Sequence, residues 1–180
     1  MPKIIDNINI YLINELQEAI KVAYRGDFCV GYFHLRGWQE VGELVDKWPG
    51  GEGNCARLLV GMQRTPQDEL KDFFRIKKGF EELDNATIVR LKKKAAEDFR
   101  NQLTFGVPTN AAEAALKKLA AQIRSRKVIV KLHLRERLHA KLYLLFRNNK
   151  INPIISYLGS SNLTMPGLQD QGELNVDVLE

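Results

Sequence analysis

The sequence predicts an α/β fold, a mixed β-sheet flanked by helices on both faces, in a single domain spanning residues 1–180. Three observations predict it. Some stretches repeat apolar residues at helical spacing, and others are short runs rich in β-branched and aromatic residues. The two kinds intermix along the whole chain rather than separating into halves. A chain of 180 residues is also long enough for one core and short for two.

In order, residues 7–24 read as a helix, with Leu12, Ile13, Leu16 and Ile20 on one face. Residues 27–35 (DFCVGYFHL) read as a strand. Gly37 breaks it, and 38–48 turns helical through Val41, Leu44, Val45 and Trp48. The run Pro49-Gly-Gly-Glu-Gly53 is a loop leading into a buried-type strand over 56–62, and 67–75 suggests a short helix. A longer helix over 85–103 buries Ile88, Leu91, Ala95 and Phe99 and exposes Lys92, Lys93 and Lys94. Another starts at Asn110, where Asn110-Ala-Ala-Glu113 has the form of a capping box, and carries Leu116, Leu119, Ala120 and Ile123 on its stripe. Strands follow over 127–134, 138–146, 153–158 and about 173–179, with Asn148-Asn149 as a tight turn between the middle two.

Composition narrows the function classes. Hydrophobic residues make up 44% and charged residues 27%, and no apolar run reaches membrane-spanning length. The N-terminus lacks the charged head and apolar run of a signal peptide, and Cys29 and Cys55 sit in apolar strand-like stretches as buried thiols. The expectation is a cytoplasmic protein without membrane contact. Its charge is strongly segregated: residues 85–150 hold 16 Lys/Arg against 4 Asp/Glu, whereas 1–84 hold 11 against 14 and 151–180 hold none against 4. A basic block of net +12 attracts polyanions such as nucleic acid.

The chemistry-bearing residues lie in the last third. In a strand over 138–146, His139, Lys141 and Tyr143 share one face, and Ala140, Leu142, Leu144 and Phe146 share the other, free to pack on helices. His139 and Lys141 then stand roughly 7 Å apart, a spacing that lets an imidazole approach a phosphorus while an ammonium holds its oxygen. Tyr143 reads as a packing residue. Gly159-Ser-Ser-Asn162 follows the next apolar strand; its glycine permits close backbone approach, and Ser160 and Asn162 offer neutral donors to phosphate oxygens. Glu173 could accept from the second nitrogen of a histidine and fix its tautomer. Lys131, Arg135 and Arg137 flank the motif strand and suit backbone-phosphate contact, with His133 beside them. No HExxH or paired CxxC occurs, so no metal site is expected.

His139-Ala-Lys141, Gly159-Ser-Ser-Asn162 and Glu173 together resemble the phospholipase D superfamily, in particular the nuclease-type domains of bacterial restriction enzymes and DNA helicases. The segments Gly31-Tyr-Phe33, Leu35-Arg-Gly-Trp38, Asn162-Leu-Thr164 and Gly167-Leu168 resemble the helicase-associated branch. The likeness is strong over 127–180, looser over 27–62, and does not extend over 63–110. It implies a phospholipase D-like fold and a phosphodiesterase that needs no metal or other cofactor. One histidine attacks phosphorus, a second protonates the leaving oxygen, and water resolves the phosphohistidine. Two His-x-Lys motifs make one such site. This chain has one, because His34 and His133 are each followed two residues later by arginine, so a homodimer must complete it. The resemblance also places helicase domains downstream in a longer protein. One departure stands out: the family aspartate five residues after the lysine is Phe146 here.

The leading reading is therefore a DNA phosphodiesterase with His139, Lys141, Asn162 and Glu173 as catalytic residues and Ser160 assisting phosphate binding. The alternative is a catalytically degenerate DNA-binding or interaction module of a helicase or restriction system. A lipid phosphodiesterase ranks last.

Overall fold

The computed structural model describes residues 2–61, 85–105, 110–133 and 138–179, so the short helix expected over 67–75 lies outside the described residues. Among the described residues, seven strands and four helices follow one another as β1 (Ile4–Ile5), α1 (Leu12–Val22), β2 (Ala23–Val30), α2 (Leu35–Val45), β3 (Ala56–Gly61), α3 (Asn85–Thr104), α4 (Asn110–Arg124), β4 (Val128–His133), β5 (Lys141–Arg147), β6 (Ile154–Gly159) and β7 (Asn175–Leu179). One π-helical turn, Pro166–Asp170, precedes β7. The strands form one mixed sheet in the order β1-β7-β6-β5-β2-β3-β4. Strands β2, β3 and β4 run parallel, and the remaining pairs are antiparallel. The α/β class and the mixed sheet match the expectation.

Several element boundaries differ from the periodicity reading, each for a local reason. Helix α1 starts at Leu12 rather than residue 7 because the Asp6 carboxylate accepts from the amides of Ile8, Asn9 and Ile10. Asn7 there has φ 54°, which a right-handed helix cannot contain, and its Oδ1 accepts from Leu12 N to cap the helix. Helix α2 starts at Leu35, three residues early, because His34 Nδ1 accepts from Arg36 N and acts as its cap. Strand β2 runs from Ala23 to Val30, ahead of the range 27–35.

One face of the sheet carries the core. Phe28, Val30, Leu58, Val60, Tyr143, Leu145, Ile155 and Tyr157 are buried there against Leu12, Leu16 and Ile20 of α1, Trp38, Val41 and Val45 of α2, and Leu119 of α4. The other face presents Leu59, Cys29, Leu142, Leu158 and Val176 in one cross-strand row, half-buried to exposed, and contributes nothing to this core among the described residues. The alternation expected along β5 holds, but its faces are exchanged. The tyrosine side, with Tyr143 and Leu145, is the buried one, and Leu142, Leu144 and Phe146 lie outside. Burial of Tyr143 is permitted because its hydroxyl donates to the Ser161 carbonyl at 2.8 Å.

Candidate active site

The site is assembled where the parallel strands end. Leu138, just before β5, lies against the ends of β2 and β3, the two strands between β5 and β4 in the sheet. Two glycines make room for it. A Cβ on Gly31 would lie 2.5 Å from the Leu138 carbonyl oxygen, and one on Gly61 would lie 2.5 Å from the Gly31 carbonyl and 3.1 Å from Leu138 Cβ. The backbone at 138–140 therefore rides over the sheet instead of pairing within it, and β5 begins only at Lys141. His139 stands exposed on this crossing segment rather than on the strand expected for it. Ligands of open α/β sheets bind outside the carboxyl ends of the parallel strands, which is where His139 sits.

Asn162 reaches the same strand ends from the other side. The Asn162 Oδ1 accepts from Tyr32 N at 2.9 Å and would be 3.4 Å from a Gly31 Cβ, so Gly31 touches both the Leu138 backbone and the Asn162 side chain. Because the amide N–H of Tyr32 can only donate, the carboxamide orientation is fixed and its Nδ2 donors face away from that bond. Lys141 pairs with Val30 at the rim of the sheet, and its ammonium donates to the His139 carbonyl at 2.7 Å. Three of the four expected catalytic residues thus share one end of the sheet.

Glu173 joins less directly. It is half-buried two residues before β7, and among the described residues neither its carboxylate nor the His139 ring has a hydrogen-bond partner, so the expected orienting bond is not made within one chain. Its charge is nevertheless felt at the site: burial first, and then Glu173, push the Tyr143 hydroxyl well above its ordinary range. The Ser160 hydroxyl accepts from Leu174 N at 3.0 Å, which ties it to the chain beside Glu173. Lys131 is exposed on β4 and, by alternation with core-facing Val130 and Leu132, points from the outer face, as does His133. Arg135 and Arg137 lie outside the described residues.

A second histidine at this end, His34, is engaged in structure. His34 Nδ1 caps α2, and its Nε2 lies 3.0 Å from the Phe105 carbonyl, so the proton sits on Nε2 and both nitrogens are occupied. Sequence reasoning missed three buried groups here. Asn175, 1% exposed, donates from Nδ2 to the Ser161 hydroxyl at 2.8 Å and accepts from Ser161 N at 3.3 Å. Tyr143 holds the Ser161 carbonyl. Each bond joins residues 14 or 18 positions apart, so no local pattern shows them. Gly31 and Gly61 did carry a signal, as glycines inside apolar strand-like runs. Among the described residues, no group of three or more His, Cys, Asp or Glu is arranged to hold a metal ion, and no helix is long and apolar enough to cross a membrane.

No protein-family model matches the chain, and no curated protein sequence does. Solved structures do. NucT from Helicobacter pylori matches over 98% of this chain and 84% of its own, with a TM-score of 0.51 at 10% identity. Polyphosphate kinase from Porphyromonas gingivalis matches over 99% of this chain with a TM-score of 0.52 at 11% identity, and the chain spans 23% of that protein. The chain has a phospholipase D-like fold. Identities this low establish the fold and not the chemistry, which belongs to the site.

Within a phospholipase D-like fold, the departure at Phe146 acquires a location. Position 146 lies five residues beyond Lys141 on β5, about 17 Å along the strand at ~3.4 Å per residue. Phe146 pairs with Arg25 of β2, whose guanidinium lies 4.3 Å from the ring centroid. A carboxylate stands one rung away: Asp27 accepts from Arg25 Nε at 3.2 Å and from Arg57 Nε at 2.6 Å. Position 146 therefore belongs to the outer-face charge cluster at the far end of β5 and is remote from His139.

Proposed function

We propose that this domain is a metal-independent phosphodiesterase, a nuclease acting on DNA, whose site is half-built in one chain and completed by a second copy. The observation that carries the reading is His139. It is exposed at the carboxyl ends of the parallel strands beside Lys141 and Asn162, with neither ring nitrogen engaged among the described residues. In this reading an imidazole nitrogen of His139 attacks phosphorus, forming a P–N bond as the P–O bond to the leaving oxygen breaks. His139 of the second copy gives that oxygen its proton. Water then attacks phosphorus, the second histidine takes its proton, and the P–N bond breaks. Lys141 and the free amide donors of Asn162 stabilise the charge that develops on the non-bridging oxygens. Glu173 is left to accept from an imidazole of the assembled site, and Ser160 adds a donor at the loop.

Lys131, Arg135 and Arg137 contact the phosphate backbone in this reading, within the basic block 85–150. Helicase domains downstream in a longer protein, a role in restriction and a cytoplasmic location belong to the same proposal. That Glu173 makes no hydrogen bond among the described residues favours the second reading, a DNA-binding module without turnover.

Cleavage of plasmid and single-stranded DNA in excess EDTA separates the two. The nuclease reading predicts nicking by the wild type and none by His139→Ala. Equal behaviour of the two proteins would remove it and leave the binding module. Light scattering at micromolar concentration should give twice the chain mass, and a strict monomer that still cleaves would sink the shared site.

A further inference from the structure

Tyr143 and Tyr157 are direct neighbours across β5 and β6 on the core face, both buried, and their hydroxyls go to different places. The Tyr157 hydroxyl donates to the Glu15 carbonyl of α1 at 3.2 Å, which fastens sheet to helix. The Tyr143 hydroxyl donates to the Ser161 carbonyl at 2.8 Å, in the peptide unit that leads into Asn162. Tyr143 stands two residues after Lys141 on the same face of the same strand. Its hydroxyl therefore bridges the strand of Lys141 to the loop of Asn162.

From the other side, Asn175 takes both the Ser161 amide and the Ser161 hydroxyl. Ser161 is fully buried, so its amide, hydroxyl and carbonyl are all held by side chains from β5 and β7. A chain segment clamped on three polar groups cannot shift without breaking buried hydrogen bonds. Asn162, one residue on, is held in turn by Tyr32 N.

We infer that the Tyr143 hydroxyl, together with Asn175, is a positioning device that sets the distance between Lys141 and Asn162 around the phosphate. This rests on the phosphodiesterase reading above. Tyr143 itself touches no substrate; it acts through Ser161 on Asn162. The phenol donates and does not ionise, since burial and then the Glu173 charge hold it protonated.

The two tyrosines give a matched test. Tyr143→Phe and Tyr157→Phe each delete one hydroxyl and keep the ring in the core. The Ser161 carbonyl then loses the Tyr143 donor, whereas the Glu15 carbonyl keeps its bond within helix α1, so the larger loss in Tm should fall to Tyr143→Phe. The inference predicts that Tyr143→Phe lowers kcat for DNA cleavage in EDTA by about tenfold, with KM within about twofold, as a misplaced donor loses transition-state contact. Tyr157→Phe should leave kcat unchanged. Amide hydrogen exchange at Ser161 should be faster by about tenfold in Tyr143→Phe and unchanged in Tyr157→Phe, since local opening sets its rate. A Tyr143→Phe protein that cleaves at the wild-type rate overturns the inference. So does a Ser161 amide that exchanges equally in the two variants. If the wild type cleaves nothing, the phosphodiesterase reading falls, and the exchange comparison alone still decides whether this hydroxyl positions the loop.

Discussion

The two ends of β5 face different problems. At Lys141 the strand opens onto the crossing segment with His139, and its partners are backbone carbonyls, glycines and neutral hydrogen-bonding side chains. At Phe146 it lies on the outer face among Arg25, Asp27 and Arg57, a charge cluster bound to itself. The difference teaches that one sequence motif can span two physical jobs. The histidine and lysine belong to the site, while the position five residues on belongs to the stability of the sheet. Phe146 there supplies a ring for the Arg25 guanidinium, five residues along β5 from Lys141.

Breaking the site end should have the largest effects. His139→Ala should reduce DNA cleavage by at least about 10⁴-fold in a gel assay, with little change in Tm, because the side chain is exposed and the proposed mechanism makes it the nucleophile. Asn162→Ala should reduce kcat by about 10²-fold, the usual loss for one preorganised donor. Gly31→Ala tests the crossing itself. Its Cβ meets backbone at 2.5 Å, so denaturant titration should show a loss of about 1–3 kcal/mol, and cleavage should fall with it as His139 is displaced.

The far end should respond in stability alone. Phe146→Ala removes a half-buried ring and its guanidinium contact, for an expected loss of about 1–2 kcal/mol by calorimetry, with kcat unchanged at a temperature where the protein stays folded. A fall in kcat there would contradict the division of β5. The smallest effect concerns pH. Partial burial raises the Asp27 carboxyl, but hydrogen bonds from Arg57 and Arg25 outweigh it and hold the group below its ordinary value of 3.8. A lowered folded value means that its stabilisation is present above that range and is lost as pH falls through the folded value. Tm should therefore drop below about pH 4, and less steeply in Asp27→Asn.

Much of this was legible in the residues. The α/β class, helix α4 from Asn110 and the run of strands from β4 to β7 follow from periodicity within a residue or two, apart from the start of β5. His139, Lys141 and the Gly159–Asn162 loop stood out as candidates because motif spacing is local. What tertiary contact decides was not readable. Residues 138–140 look like strand and are pulled out of the sheet by the approach over Gly31 and Gly61. The buried face of β5 went to Tyr143 because Ser161, 18 residues on, could receive its hydroxyl. His34 is equally far from obvious: its role as a helix cap excludes it from chemistry only once the contact to Phe105 is seen.

The most direct measurement is a search for the covalent intermediate. Wild-type protein mixed with a short single-stranded oligonucleotide in EDTA, quenched in alkaline denaturant, should yield by mass spectrometry a phosphoryl-oligonucleotide adduct on His139. The adduct should be absent in His139→Ala. Turnover by the wild type with no adduct on His139, or an adduct on another residue that persists in His139→Ala, would contradict the account.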